Sequence, residues 1–302
     1  MEIWYELTGK DSKARGYNIL TGNIDQLTLF DDSVKEEYEM IIPLRFWFCK
    51  DISLSLPIIA LLHSNVEVFV ELKKFEEVSY VDNFIEFVTK PRLKCKMIGE
   101  YIFIEDNERK KFATSKLEYL MDTLQYHRSI TVTADKLDEN GFIKTIIYFQ
   151  NSIKELFWVL QDLSYIDGSQ ASGERQWNNY SASFDTGRNN VIESVSIEFS
   201  GRDRELVKNV NYYNYIKPYE HHNGTPSDGI NMYSFSLEPE KVQPSGGANF
   251  SRIDDAAIVI KIKDSIIEEM RTNGRQFRLA IYGASYNILR VMSGMGGLAF
   301  YQ

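Results

Sequence analysis

The sequence predicts an all-β protein, short antiparallel strands folded into a sandwich or barrel that fills the chain from about residue 128 onward. Three observations carry that expectation. Apolar side chains there recur at every second position, as in Val195, Ile197 and Phe199 against Ser196, Glu198 and Ser200, the period of a half-buried strand. Aromatics make up 13% of the residues, with 18 Tyr and 18 Phe, and aromatic side chains favour pleated surfaces. The chain also closes on an apolar run, Tyr286 through Phe300, threaded through Gly294, Gly296 and Gly297. Such an end is packed, not frayed.

Residues 1 to 40 are polar with scattered apolar positions and predict a short helix or two, then a turn at Thr21-Gly-Asn23. The run Ile41 to Cys49 predicts a strand, with Pro43 confined to its start or to an edge. Ser53 to Leu62 predicts a short helix capped by Ser53, with Pro57 near its first turn. Val66 to Leu72 alternates and predicts a strand with one wetter side; Leu93 to Ile104 predicts another. A helix is predicted over residues 106 to 124, where Ala113, Leu117, Leu120, Met121 and Leu124 form one apolar stripe. Asp106 and Glu108 lie at its positive end. Strands are then predicted at Thr131–Thr133, Lys144–Gln150, Lys154–Gln161, Val191–Ser200, Tyr233–Leu237, Ala257–Lys263, Arg278–Gly283 and Tyr286–Val291. Glu205 to Tyr215 reads as a short helix running into a loop, and residues 218 to 230 as a long loop. Two units follow, residues 1–127 and residues 128–302.

A chain of 302 residues can bury a sizeable core. A net charge of -9 argues against a surface devoted to nucleic acid. The two cysteines, Cys49 and Cys95, sit in apolar or strand-like segments and are expected to be buried free thiols. No window reaches the length of apolar chain that a membrane span needs. The N-terminus lacks the basic lead and apolar core of a secretion signal, which predicts synthesis and assembly in the cytosol.

No catalytic, cofactor-binding or metal-binding residue is assigned. His221 and His222 are adjacent, so in extended chain they point apart and rarely share a metal; exposed or hydrogen-bonded loop histidines are expected. His63 and His127 are isolated. Asp254 and Asp255 beside Arg252 predict an ion pair or an Asx turn. Gly294, Gly296 and Gly297 lack the Lys-Ser/Thr and following helix of a phosphate loop, so close backbone approach is the expectation. Trp47, Trp158 and Trp177 are expected as core or interface anchors. Three glycosylation triplets, at Asn179, Asn223 and Asn249, are near chance frequency.

Several segments, taken in order, resemble the major capsid protein of nucleocytoplasmic large double-stranded DNA viruses, the iridovirus, phycodnavirus and mimivirus-like group. They are Thr21 to Leu27, Pro43 to Cys49 with Leu56 to Leu61, Glu108 to Ala113 and Glu155 to Gln161. Further along they are Tyr219 to His222, Tyr233 to Pro239, Gln243 to Gly246, Asn249 to Asp254 and Tyr286 to Phe300. The resemblance implies a double jelly roll, two eight-stranded sandwiches side by side, with the 106–124 helix after the first. It implies a homotrimeric, pseudo-hexagonal capsomer in an icosahedral virion shell, assembled in the host cytoplasm, with no enzymatic activity and no cofactor. Partners are then the chain itself, neighbouring capsomers, and other capsid proteins or a full-length paralogue, without direct nucleic acid binding. The strands that should precede Pro43 are mostly absent, so the first roll is expected to be truncated and the second complete. The competing readings are a carbohydrate- or receptor-binding jelly roll, a divergent minor capsid component and, more distantly, a cupin-type enzyme.

Overall fold

Two antiparallel sheets face each other in the C-terminal part of the chain. The computed structural model describes residues 2–9, 13–29, 31, 33–79, 92–169 and 174–300. Its strands are β1 Leu117–Val132, β2 Phe142–Ile146, β3 Ser152–Asp162, β4 Ile192–Phe199, β5 Arg202–Asn209, β6 Ile230–Ser234, β7 Ala248–Asn249, β8 Ala256–Ile262, β9 Phe277–Met292 and β10 Met295–Leu298. One sheet runs β1-β9-β3-β6, with β7 on β3 and β10 on β9; the other runs β2-β8-β4-β5. Without the short β7 and β10, eight strands divide four and four between the sheets, in the order of a jelly roll.

The period of two becomes a core here. Ile258, Ile260 and Ile262 of β8 share one cluster with Leu156, Trp158 and Leu160 of β3 and Leu279 and Ile281 of β9. All eight side chains are almost fully buried. The two strands expected at Arg278–Gly283 and Tyr286–Val291 are one 16-residue strand, β9. Its first part pairs with β3 up to Ser285, and its last residues pair with β10, while β1 runs along its other edge.

Four sequence expectations change. The helix predicted over residues 106 to 124 stops early. The helices are α1 Glu2–Thr8, α2 Ala14–Thr21, α3 Asp25–Thr28, α4 Phe75–Val78, α5 Asp106–Thr114, α6 Ser164–Asp167, α7 Lys217–His221 and α8 Asp264–Asn273. Thus α5 ends at Thr114 with Ser115 already extended, and Leu117, Leu120, Met121 and Leu124 belong to β1. Their helical spacing is real, but a ladder from Leu117↔Val291 to Val132↔Phe277 outweighs it; long-range pairing overrides local propensity. Strand β1 therefore runs straight through residue 127, the expected boundary.

Among the described residues, the strands predicted at 41–49, 66–72 and 93–104 carry no ladder. Residues 41–46 and 64–74 are irregular or extended, as are 92–105, and Trp47–Cys49 is a 3-10 turn. Alternation supplies a face but not a partner. The helix expected at Ser53–Leu62 is two 3-10 turns, Ile52–Leu54 and Ile58–Ala60, capped by Asp51 instead of Ser53. The stretch Glu205 to Tyr215 begins as strand β5, before a π-helical turn at Tyr212–Ile216.

The N-terminal helices match expectation, with Gly22 in the left-handed region (φ 79) ending α2 at the predicted turn. Helix α1, at seven residues, is too short to persist alone. It is held because Leu7 is fully buried against Phe157, Met232 and Ala284, with Ile3 and Trp4 beside it. These sheet residues lie on the outer face of the β1-β9-β3-β6 sheet, away from the main core.

Candidate functional site

Two features of the surface carry functional meaning. The first is the exposed apolar stretch that precedes the sandwich. Phe69, Ile98 and Phe103 are 89%, 90% and 94% exposed, and Ile52, Leu62 and Met97 are exposed nearly as far. Phe69, Met97, Ile98 and Phe103 lie on irregular or extended backbone that the described residues do not pair, and Ile52 and Leu62 lie on turns. Exposed apolar surface of this extent is a common property of protein–protein contact surfaces.

This stretch is anchored at its middle. The His63 N–H donates to the Gly294 carbonyl (2.8 Å), and the Gly296 N–H donates to Ser64 Oγ (3.0 Å). A Cβ on Gly294 (φ +80) would stand 2.7 Å from the His63 ring, and one on Gly296 would stand 2.9 Å from Leu61. Gly294 and Gly296 thus permit close approach, as the sequence predicts, whereas a Cβ on Gly297 would meet nothing within 4 Å. Lys50 pairs with Asp122 of β1, and Trp47 packs against Tyr119.

The second feature is a charge cluster beneath α1. The pairing of β3 with β9 shifts register between Ile153 and Glu155, a β-bulge. Ile153 and Leu156 both join the main core. The extra residue places Lys154 and Glu155 together on the outer side, under α1. Both are fully buried. Lys154 Nζ reaches Asp122 (2.9 Å) and the Pro239 carbonyl (2.9 Å), with its ammonium over the rings of Trp4 and Tyr286.

His222 lies between two carboxylates, with Nε2 3.2 Å from Glu155 and Nδ1 3.0 Å from Glu240. Burial alone would lower the imidazole pKa, but the close carboxylate of Glu155 and the hydrogen-bonded carboxylate of Glu240 raise it to about 9. Burial would lift Glu240, yet hydrogen bonds from His222 and the Asn223 amide hold it below the usual carboxylate range. The Glu155 contact is an ion pair without good hydrogen-bond geometry, since neither Glu155 oxygen nor His222 Nε2 has an aligned partner. Buried, closely spaced opposite charges hold each other in place, and losing either one leaves the other uncompensated.

The sequence expectation for the histidines is met in part. His221 Nδ1–H donates to the Leu237 carbonyl (3.1 Å), but the His222 side chain is fully buried. Lys154, Glu155 and Asp122 were not singled out by sequence reasoning. The available signal was a Lys-Glu pair inside the apolar run from Ile153 to Leu160. Cys49 and Cys95 are exposed free thiols, not buried ones, because their segments pair with nothing among the described residues. Trp158 is a core residue, and Trp177 donates its Nε1–H to the Glu77 carbonyl. Asp254 and Asp255 are exposed, and the Asp255 carbonyl accepts the Ser200 N–H. The Asn179 amide, in the first glycosylation triplet, is turned inward onto Gln176 and the Ser183 carbonyl. Among the described residues, no group of three or more His, Cys, Asp or Glu is arranged to hold a metal ion.

Two family models match end to end: "Large eukaryotic DNA virus major capsid protein" over residues 108–297, and "Major capsid protein N-terminus" over residues 1–105. The major capsid protein of Phaeocystis pouchetii virus is 27% identical over 99% of this chain and 76% of its own length. That alignment extends over 408 positions, so the relative carries segments inside the match that this 302-residue chain lacks. The major capsid protein of Paramecium bursaria Chlorella virus 1 is 30% identical over 89% of this chain and 68% of its length. Among solved structures, PBCV-1 VP54 superposes with a TM-score of 0.63 at 24% identity, covering 95% of this chain and 78% of that one. That likeness speaks to the fold: an all-β double jelly roll whose second roll is complete here, and whose first is incomplete among the described residues. The match over residues 108–297 and the 30% identity to the Chlorella virus protein place this chain in the family of large eukaryotic DNA virus major capsid proteins.

Proposed function

We propose that this chain is a structural subunit of an icosahedral virion shell, without enzymatic activity, that reaches the capsid after assembly in the host cytoplasm. The observation that carries the reading is a jelly roll closed within the very residues that match the capsid family, 108–297. Such a sandwich gives a rigid block, and the exposed apolar chain around Phe69, Ile98 and Phe103 gives it surface for neighbouring subunits. The assembly is a homotrimer with pseudo-hexagonal outline that contacts neighbouring capsomers and other capsid proteins, or a longer paralogue. Its second roll begins with β1 at Leu117, and α5 joins it to the first unit.

A carbohydrate- or receptor-binding role has less support, since Trp158 and Trp177 are engaged within the fold. Light scattering of the purified chain across a concentration series, followed by electron microscopy of the particles, tests the proposal. Trimers that pack into hexagonal arrays are expected. A chain that stays monomeric at high concentration, alone and with co-expressed capsid proteins, overturns the capsomer reading.

A further inference from the structure

We infer that the outer face of the six-stranded sheet is a releasable docking site for helix α1, latched by the charged imidazole of His222 against Glu155. The contact surface is built for this helix. Leu7 fills the space over Phe157, Met232 and Ala284. The Gly224 N–H donates to the Leu7 carbonyl (2.9 Å), and the Ser227 N–H donates to the Glu6 carboxylate (2.6 Å). A Cβ on Gly224 would run into the Glu6 and Gly9 carbonyls, so only glycine lets α1 lie this close.

Trp4 then caps the charge cluster. Its ring meets Phe157 edge-on at 5.9 Å and His222 edge-on at 6.1 Å, and the ammonium groups of Lys50 and Lys154 stand 5.8 and 5.7 Å from it. Three cations, Lys50, Lys154 and His222, face three carboxylates, Asp122, Glu155 and Glu240, so the cluster under α1 is neutral only while His222 carries its proton. Of the remaining ionisable groups nearby, Tyr286 packs against Lys154 and Glu6 binds Ser227, while Glu220 pairs with Lys217. Glu238 pairs with Lys241, and Arg45 sits over Tyr5. None of these restores the balance at Glu155 when His222 is neutral.

The sign follows from the direction of the imidazole shift. A base whose folded-state pKa is raised contributes its full stabilisation below its ordinary value of 6.5 and loses it as the pH rises through about 9. Docking of α1 is therefore tight at neutral pH and loosens in alkali. Release uncovers Phe157, Met232 and Ala284 on the outer face of the sheet.

Peptide-resolved hydrogen exchange on the full chain from pH 7 to pH 10, corrected for intrinsic rates, tests the latch. The amides of α1 and of Gly224 report docking, and those of β8 report the sandwich. Protection in α1 is expected to fall by up to about tenfold per pH unit from pH 7 to about pH 9 and to level off above that, while β8 stays protected. His222→Gln is expected to loosen α1 at pH 7. Combining it with Glu155→Gln, which removes both charges, is expected to restore protection and flatten the pH dependence. Level α1 protection through pH 10 in the unaltered chain overturns the inference, as does a double variant that keeps the alkaline loss. Should a variant fail to fold, β8 exposes it, and the pH series on the unaltered chain decides alone.

Discussion

Residues 64–74 and residues 256–262 are both written in the alternating code of a strand, yet they end in opposite states. In β8, Ile258, Ile260 and Ile262 are sealed between two neighbouring strands, β2 and β4, and an opposing sheet. In the earlier segment, Val66, Phe69, Val70 and Leu72 all stand in the open, on chain that forms no ladder among the described residues. The difference teaches that alternation specifies which side chains share a face, whereas a strand exists only where another backbone takes up its N–H and C=O groups. Among the described residues, the second half pairs its strands with one another, and the first half shows no ladder.

The comparison is broken most strongly at the buried charges of the complete half. Glu155→Gln leaves the buried His222 imidazolium with Glu240 alone to balance it, and a loss of about 3–5 kcal/mol is expected in denaturant unfolding at pH 7. An unchanged midpoint would mean that the cluster is solvated in solution. Ile260→Ala, at the centre of β8, is expected to cost about 2–5 kcal/mol by the same measurement, from lost burial plus the cavity left behind. Gly224→Ala forces α1 away from the loop that holds it, and about 1–3 kcal/mol is expected, read as lost protection in residues 3–8 with β8 unaffected.

The smallest effect sharpens the comparison from the other side. Phe69→Ser and Ile98→Ser remove exposed side chains, so stability of the isolated chain is expected to move by no more than about 0.5 kcal/mol. Assembly is expected to weaken all the same, visible as a shift toward smaller species in light scattering. If these changes instead destabilise the isolated chain as much as Ile260→Ala does, the two halves are not different in kind.

Much of the sandwich was legible before any coordinates. The strands at Lys154–Gln161, Val191–Ser200 and Ala257–Lys263 are found within about two residues of their predicted bounds, the first because it holds an unbroken apolar run buried on both faces and the others because their apolar residues recur at every second position. Strand β1 was not legible, since Leu117, Leu120, Met121 and Leu124 satisfy the helical period as well. Only the ladder to β9, more than 150 residues away, separates the two. The site was less legible still. His222 was noticed and read as a loop histidine, and Lys154 and Glu155 passed as ordinary strand residues.

What the sequence determined by itself is the class of the fold, the places of most strands in the second half, and the glycines at which the terminal hairpin admits His63 and Leu61. Each is a local matter of side-chain period or of backbone room, which a run of ten residues encodes. Tertiary structure alone decided the rest. A single extra residue in β3 turned Lys154 and Glu155 to one side, β9 claimed β1 as a strand, and α1 found a face to cover. Register, pairing and burial of charge depend on which distant segments meet, and no local pattern carries that information.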